Sequence, residues 1–279
     1  MILCLETSTA VCSVALVENG KVIALRESLD GQNHAEKITV FIDEVMKEAN
    51  VSYRDLDAVA TSMGPGSYTG LRIGVSTAKG LCYAMEKPLI AVDTLAAMAY
   101  GFKDYKTTRL QDYKEVAEFR VQSSEFRVQS SEFRVQSSEF RVQSSEFRVQ
   151  SSEFKAQSSE SILCPMIDAR RMEVYSAFFN EKLERVSETN AIIIDENSFM
   201  EMKQNSHLYL FGDGADKLAS LFENDDNITV VEKFHCSASY MAELADRAFK
   251  NKDFVDTAYF EPFYLKNFVP GMPKVKGLE

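Results

Sequence analysis

GPGSYTGLRIG, residues 64 to 74, stands between an apolar run that reads as a strand, LDAVATSM, and a small-residue run that reads as a helix, SYTGLRIGVSTAKGLCYAM. A glycine-rich strand-to-helix corner invites a phosphate, because the free amides of a helix start attract anions, and Ser67 is placed to cap that start. Neither standard nucleotide loop fits. A P-loop needs Lys and then Ser or Thr after its last Gly, whereas Gly70 is followed by Leu71 and Arg72; a dinucleotide loop needs G-x-G-x-x-G, and here Pro65 leads to G-P-G-x-x-x-G.

Packing accounts better for the helix. Gly70, Gly74, Thr77, Ala78 and Gly80 are more small residues than helix propensity favours, each Gly costing about 1 kcal/mol against Ala. With Leu71, Val75 and Leu81 toward the home sheet, the small residues would let a second helix come close. The nearest in sequence is His34 to Asn50, where Ile38, Phe41, Ile42, Val45, Met46 and Ala49 follow helical spacing. Such a pair either buries itself within the domain or presents a joint surface to another protein; the residues alone leave both readings open.

Working outward, MILCLETST reads as a buried strand, and CSVALVENGKVIALRES as a hairpin around Asn19-Gly20, a dipeptide that accepts the positive φ of a type I′ turn. PLIAV is a further strand and TLAAMAYG a helix begun at Asp93 or Thr94. The first half is therefore β-β-β-α-β-α-β-α. After residue 160, SILCPMIDARRMEVYSAFF gives two strands around a turn and AIIID, HLYLFG and ITVV give three more. Helices are expected at Glu196 to Lys203, Ala215 to Phe222 and Ser237 to Asn251, so the second half reads as a smaller copy of the same mixed α/β plan. The division expected is 1–102, a linker 103–160, and 161–279.

Within the linker, EFRVQSS runs five times from Glu118 and EFKAQSS once, ending at Ser159. Phe and Val, two apart, point to nearly opposite sides of a helix, which argues against a coiled coil. The block reads as a low-complexity surface insertion, disordered or marginally structured, that widens a loop between the halves. Each heptad carries one acid and one base, so the net charge of −11 belongs to the rest of the chain.

That charge, with a pI near 5.0, argues against this chain alone gripping a nucleic-acid backbone. The first residues, broken by Glu6, make neither a leader nor a membrane span, which places the protein in the cytoplasm. Cys4, Cys12, Cys82, Cys164 and Cys236 are odd in number and lack C-x-x-C spacing, as expected of reduced core thiols.

Seven stretches, LCLETSTAVCSVAL, NHAEKI, SMGPGSYTGLRIGVSTAKGL, AVDTLAAMA, IDARRMEVYSAFF, FGDGA and PFYLKNF, stand in the order seen in the bacterial TsaB (YeaZ) family, which the chain resembles outside about Lys103 to Glu160. The resemblance implies an actin, sugar-kinase and Hsp70-ATPase type of α/β fold with two ribonuclease H-like subdomains. It implies a non-catalytic dimerisation subunit in the synthesis of threonylcarbamoyladenosine (t6A) in tRNA. Its partners would be a catalytic TsaD-like subunit and a TsaE-like ATPase, with tRNA reached only through the complex, and with no membrane. In the family two helices form the dimer bundle, which here selects His34, Ile38, Phe41, Ile42, Val45, Gly70, Leu71, Gly74, Val75 and Ala78. The same pair is a candidate homodimer seam when the chain is alone.

The resemblance also bears on catalysis. The catalytic paralogue holds a metal through a His pair at helical spacing, whereas His34, His207 and His235 stand far apart, and His34 reads as a helix-start residue. No cofactor is expected for this chain; ATP with magnesium and a metal are implied for its partners. Glu6, at the end of the first strand, Asp168 and Arg170 in IDARRMEVY, and Gly212, Asp213 and Gly214 in FGDGA are the candidate lining of a nucleotide cleft. The plainer readings are an ion pair of Asp168 with Arg170 or Arg171, and a helix-capping Asp213. No Ser/His/Asp or Cys/His constellation offers a hydrolytic nucleophile and base. The competing function is a stand-alone ATPase or small-molecule kinase of the same fold.

Overall fold

A computed structural model of the protein describes residues 1–31, 33–106 and 160–266. The heptad block lies outside the described residues.

The first sheet has the order β3-β2-β1-β4-β5. Strands β1 (Ile2–Glu6), β2 (Cys12–Glu18) and β3 (Lys21–Ser28) are antiparallel, and β4 (Ala58–Gly64) and β5 (Leu89–Asp93) add in parallel. Asn19 at φ 52° and Gly20 at φ 75° turn β2 into β3, as that dipeptide predicts. Strand alternation then sorts the core. Leu3, Leu5, Val14 and Leu16 face α1 (His34–Glu48) and α2 (Tyr68–Met85). Ile2, Cys4, Ala15 and Val17 face the opposite side. Next comes α3, over 94–106, whose start is capped by Asp93, with Oδ1 accepting from the Ala96 amide at 2.8 Å.

The second sheet has the order β11-β10-β6-β7-β9 with β8 beside β6. Its strands are β6 (Glu160–Asp168), β7 (Glu173–Ser176), β8 (Phe179–Asn180), β9 (Asn190–Ile193), β10 (Ser206–Phe211) and β11 (Ile228–Val231). Its helices are short: α4 (Ala219–Phe222) follows a 3-10 turn, and α5 (Ala242–Asn251) follows another at Ala238–Met241.

One expectation is corrected. Glu196–Lys203 does not form a helix: it is turns followed by a single 3-10 turn at Met202–Gln204. Asp195 Oδ1 accepts the Asn197 amide at 3.0 Å, Ser198 Oγ accepts the Asp195 amide at 2.9 Å, and Phe199 sits at φ 69°. Side-chain bonds and a left-handed residue have taken the place of helix bonds. Packing runs across the expected boundaries at 102 and 161. Leu95, Met98, Ala99 and Phe102 of α3 pack on the second sheet, the Phe102 ring stacked 4.2 Å from Phe211, while Ala97 belongs to the first core. Ala242 and Ala245 of α5, from the far end of the chain, pack beneath the first sheet. The sheets thus share α3 as a spacer and exchange a helix.

Candidate functional site

The corner after β4 is filled by the chain itself. Gly64, at φ 108°, leaves the place of its missing Cβ 2.7 Å from the Phe263 carbonyl oxygen, and the Phe263 amide donates to Met63 O at 2.7 Å. The Ser67 amide donates to Ser8 O at 2.6 Å, and Ser67 Oγ caps α2 by accepting from the Gly70 amide at 3.3 Å. A Cβ on Gly70 would overlap Thr7 O, and one on Gly74 would overlap Thr7 Oγ1, which donates to Gly70 O at 2.8 Å. The small residues therefore admit the end of β1, not a foreign helix.

Most of the residues selected for the partner seam lie within the chain's own core. Ile38, Ile42, Val45, Leu71, Val75 and Ala78 are at most 4% exposed, spent on the chain's own core with Gly70 and Gly74 beside them. Phe41 is half-buried at the edge of that core. What α2 turns outward is a second stripe, Ser76, Gly80 and Ala84, spaced i, i+4, i+8 and exposed. A Cβ on Gly80 would meet nothing within 4 Å. In the same helical layer, Val40 of α1 is 52% exposed and Tyr83 of α2 is 86% exposed. Gly80 was noticed in the sequence, but only as one more small residue of the packing face.

Below the corner lies a cleft of about 790 Å³. One wall is Ser8–Ala10 and the start of α2; the other is Ile167–Arg170, Tyr175 and Asp213 of the second sheet; Phe263–Lys266 form the third. His34 lines it and opens α1, its Nε2 donating toward Thr9 O at 3.0 Å and Val11 O at 3.2 Å, so its ring pins the helix start to the β1–β2 loop. Asp168, Arg170 and Asp213 come together here as expected. Their bonding differs from the plain readings. Asp168 pairs with Lys217 and accepts the backbone amide of Arg170 rather than a guanidinium. Asp213 caps no helix: its Oδ1 accepts the Asp168 amide at 3.1 Å, tying the β10 turn to the end of β6. Burial, with Asp168 and Asp216 adding to it, pushes the Asp213 carboxyl up.

Glu6, Gly212 and Gly214 are not in the lining. Glu6 is 1% exposed and accepts the Ser8 amide at 2.6 Å; burial drives its carboxyl up, against hydrogen bonds from Ser8, Ser62 and Thr7. Gly212 and Gly214 are pressed on the β6 backbone at Met166 and Ile167. Among the described residues no group of three or more His, Cys, Asp or Glu could hold a metal ion. All five cysteines are buried and unbridged, and burial raises Cys4 to about 12 and Cys12 and Cys82 to about 11. Among the described helices none is long and apolar enough to cross a membrane.

A family model described as TsaD, tRNA N6-adenosine threonylcarbamoyltransferase, matches residues 28–110. The tRNA threonylcarbamoyladenosine biosynthesis protein TsaB of Escherichia coli (strain K12) is 41% identical over 100 residues, which is 36% of this chain and 43% of that protein. This match thus spans less than half of the relative's length. The protein of the same description from Haemophilus influenzae is 27% identical over 280 residues, 96% of this chain and 94% of its own. Among solved structures, YeaZ from Pseudomonas aeruginosa superposes with a TM-score of 0.64 at 20% identity, covering 95% of this chain and 99% of the other. The two sheets with their shared helices are the fold of that neighbour.

Proposed function

We propose, from the premise that this chain is of the TsaB family, that it works in threonylcarbamoyladenosine synthesis as a non-catalytic subunit docking a TsaD-like catalytic partner. The observation that carries the docking role is Gly80. A glycine at an exposed position in the middle of a helix costs about 1 kcal/mol against alanine, and among the described residues nothing lies within 4 Å of where its Cβ would stand. The cost is offset when another helix packs backbone-close along Ser76, Gly80 and Ala84, with the exposed Tyr83 beside them as an apolar flank. A net charge of −11 favours leaving the tRNA to the partner. In this reading ATP, magnesium and any metal belong to the TsaD-like and TsaE-like subunits, the assembly works in the cytoplasm, and a second copy of the chain occupies the same stripe when the partner is absent. A stand-alone ATPase finds little support in Glu6, which is turned into the Ser8 amide beneath the cleft wall.

Light scattering on size exclusion tests the reading, with the chain mixed with the TsaD-like protein of its own organism. A one-to-one complex is expected with the wild type and is lost in Gly80→Leu, whose circular dichroism stays unchanged. A complex that survives Gly80→Leu overturns the seam, and the absence of any complex with the wild type overturns the docking role.

A further inference from the structure

Beyond α5 the chain runs along the first sheet before it reaches the second. The Val255 amide donates to Leu89 O at 2.9 Å, bridging the outer edge of β5. Lys79 Nζ of α2 then donates to the carbonyls of Ala258 at 2.9 Å and Phe260 at 3.0 Å. Phe263 bonds Met63 and lies on Gly64. The Tyr264 ring packs 5.0 Å from Tyr68, and its hydroxyl accepts from Arg72 Nε at 3.3 Å, while the Arg72 guanidinium lies 4.2 Å over the Tyr68 ring. All of these contacts are to the first sheet and its helix. The next one is not: Lys266 forms an ion pair with Glu173 of β7, on the second sheet.

We propose that residues 253–266 are a latch that sets how far the cleft between the two sheets opens. The geometry fits in three respects. The segment is fixed to one wall by five backbone or side-chain hydrogen bonds and an aromatic pair, so it moves with that wall. Its last four residues, Phe263 to Lys266, line the cleft themselves. Among the described residues its hold on the opposite wall is one partly exposed ion pair, with side chains 46% and 20% exposed, the kind of contact that breaks at little cost and weakens with salt. Gly64 is then explained by the latch, since any side chain there would push the Phe263 carbonyl away. The proposal is independent of what docks on α2 and of what enters the cleft.

Hydrogen exchange by mass spectrometry on the full chain tests it, in wild type, Lys266→Glu and the charge-reversed pair Lys266→Glu with Glu173→Lys. Exchange at residues 8–10, 65–70 and 167–170, which line the cleft, is expected to rise about two- to fivefold in Lys266→Glu and to return toward wild type in the reversed pair. Raising salt should produce the same rise in wild type and in the reversed pair, but not in Lys266→Glu, where no pair is left to screen. Tyr264→Ala is a second probe, loosening the latch on the first wall by removing its ring contact and the Arg72 bond while the ion pair stays intact, and should raise exchange at 65–70. Unchanged exchange along the cleft in both Lys266→Glu and Tyr264→Ala overturns the latch.

Discussion

Gly74 and Gly80 are six residues apart on α2 and stand on opposite sides of it. Gly74 faces inward, where a Cβ would overlap Thr7 Oγ1; Gly80 faces outward, where a Cβ would meet nothing within 4 Å. The inner glycine is required by the chain's own fold, because the end of β1 runs too close for any side chain. The outer glycine is a cost with no return among the described residues. The same residue type on the same helix thus marks packing on one side and an unfilled demand on the other, and only the position of the neighbouring strand tells them apart.

The largest effect expected separates them directly. Gly74→Leu should cost about 3 kcal/mol or more, by forcing Thr7 and the β1 exit away, and should lower the urea midpoint sharply before any partner is added. Gly80→Ala should do the reverse, raising stability by up to about 1 kcal/mol through helix propensity alone. Equal losses from both substitutions would mean that Gly80 is also packed within the chain, and the comparison would fail.

How much of this was legible in the sequence follows from how local each signal is. The Asn19-Gly20 hairpin, the period of α1 and the cap at Ser67 are each set within a few residues, and each stands as read. The inward face of α2 was not legible, because Leu71, Val75, Gly70 and Gly74 all fall on the inner half of the helix and the wheel does not say that Thr7 lies against it. Asp168 finds Lys217, 49 residues on, rather than the adjacent arginines, since Arg170 and Arg171 take left-handed turn conformations at φ 73° and 54°. The return of α5 and residues 253–266 to the first sheet is longer in range still. Its only trace was the aromatic PFYLKNF, which marks a segment with something to pack on without saying where.

A smaller effect sharpens the inner side of the comparison, where β1 leaves the sheet. Burial raises the folded carboxyl of Glu6 above its ordinary value of 4.5, so the ionised form is disfavoured in the fold. Its contribution to stability is whole below about pH 4.5 and is lost as pH rises through the raised folded value. Glu6→Gln keeps an oxygen for the Ser8 amide and cannot ionise. Thermal midpoints measured from pH 4 to pH 8 should therefore match near pH 4, after which the variant becomes increasingly the more stable of the two. A wild type that gains on the variant with rising pH would place a compensating cation beside Glu6.

The smallest effect expected tests whether the outer side of α2 is reached by the heptad block. The described chain stops at Lys106 and resumes at Glu160, which pairs with Ser206 at the beginning of β6. The cleft lies at the other end of that strand, at Ile167 and Asp168. Nine residues of β-strand span about 30 Å, so the block is rooted at the far end of the second sheet, while Gly80 belongs to the helix layer of the first. If the block makes no contact with the partner, deletion of Glu118 to Ser159 should leave affinity for the TsaD-like partner unchanged within about twofold by calorimetry. The same deletion shortens the connection between α3 and β6 and should stabilise the fold by about 1 kcal/mol if the block contributes only chain closure. A marked loss of partner affinity on deletion would mean that the block itself reaches the partner, and the seam along Ser76, Gly80 and Ala84 would then be only part of the surface.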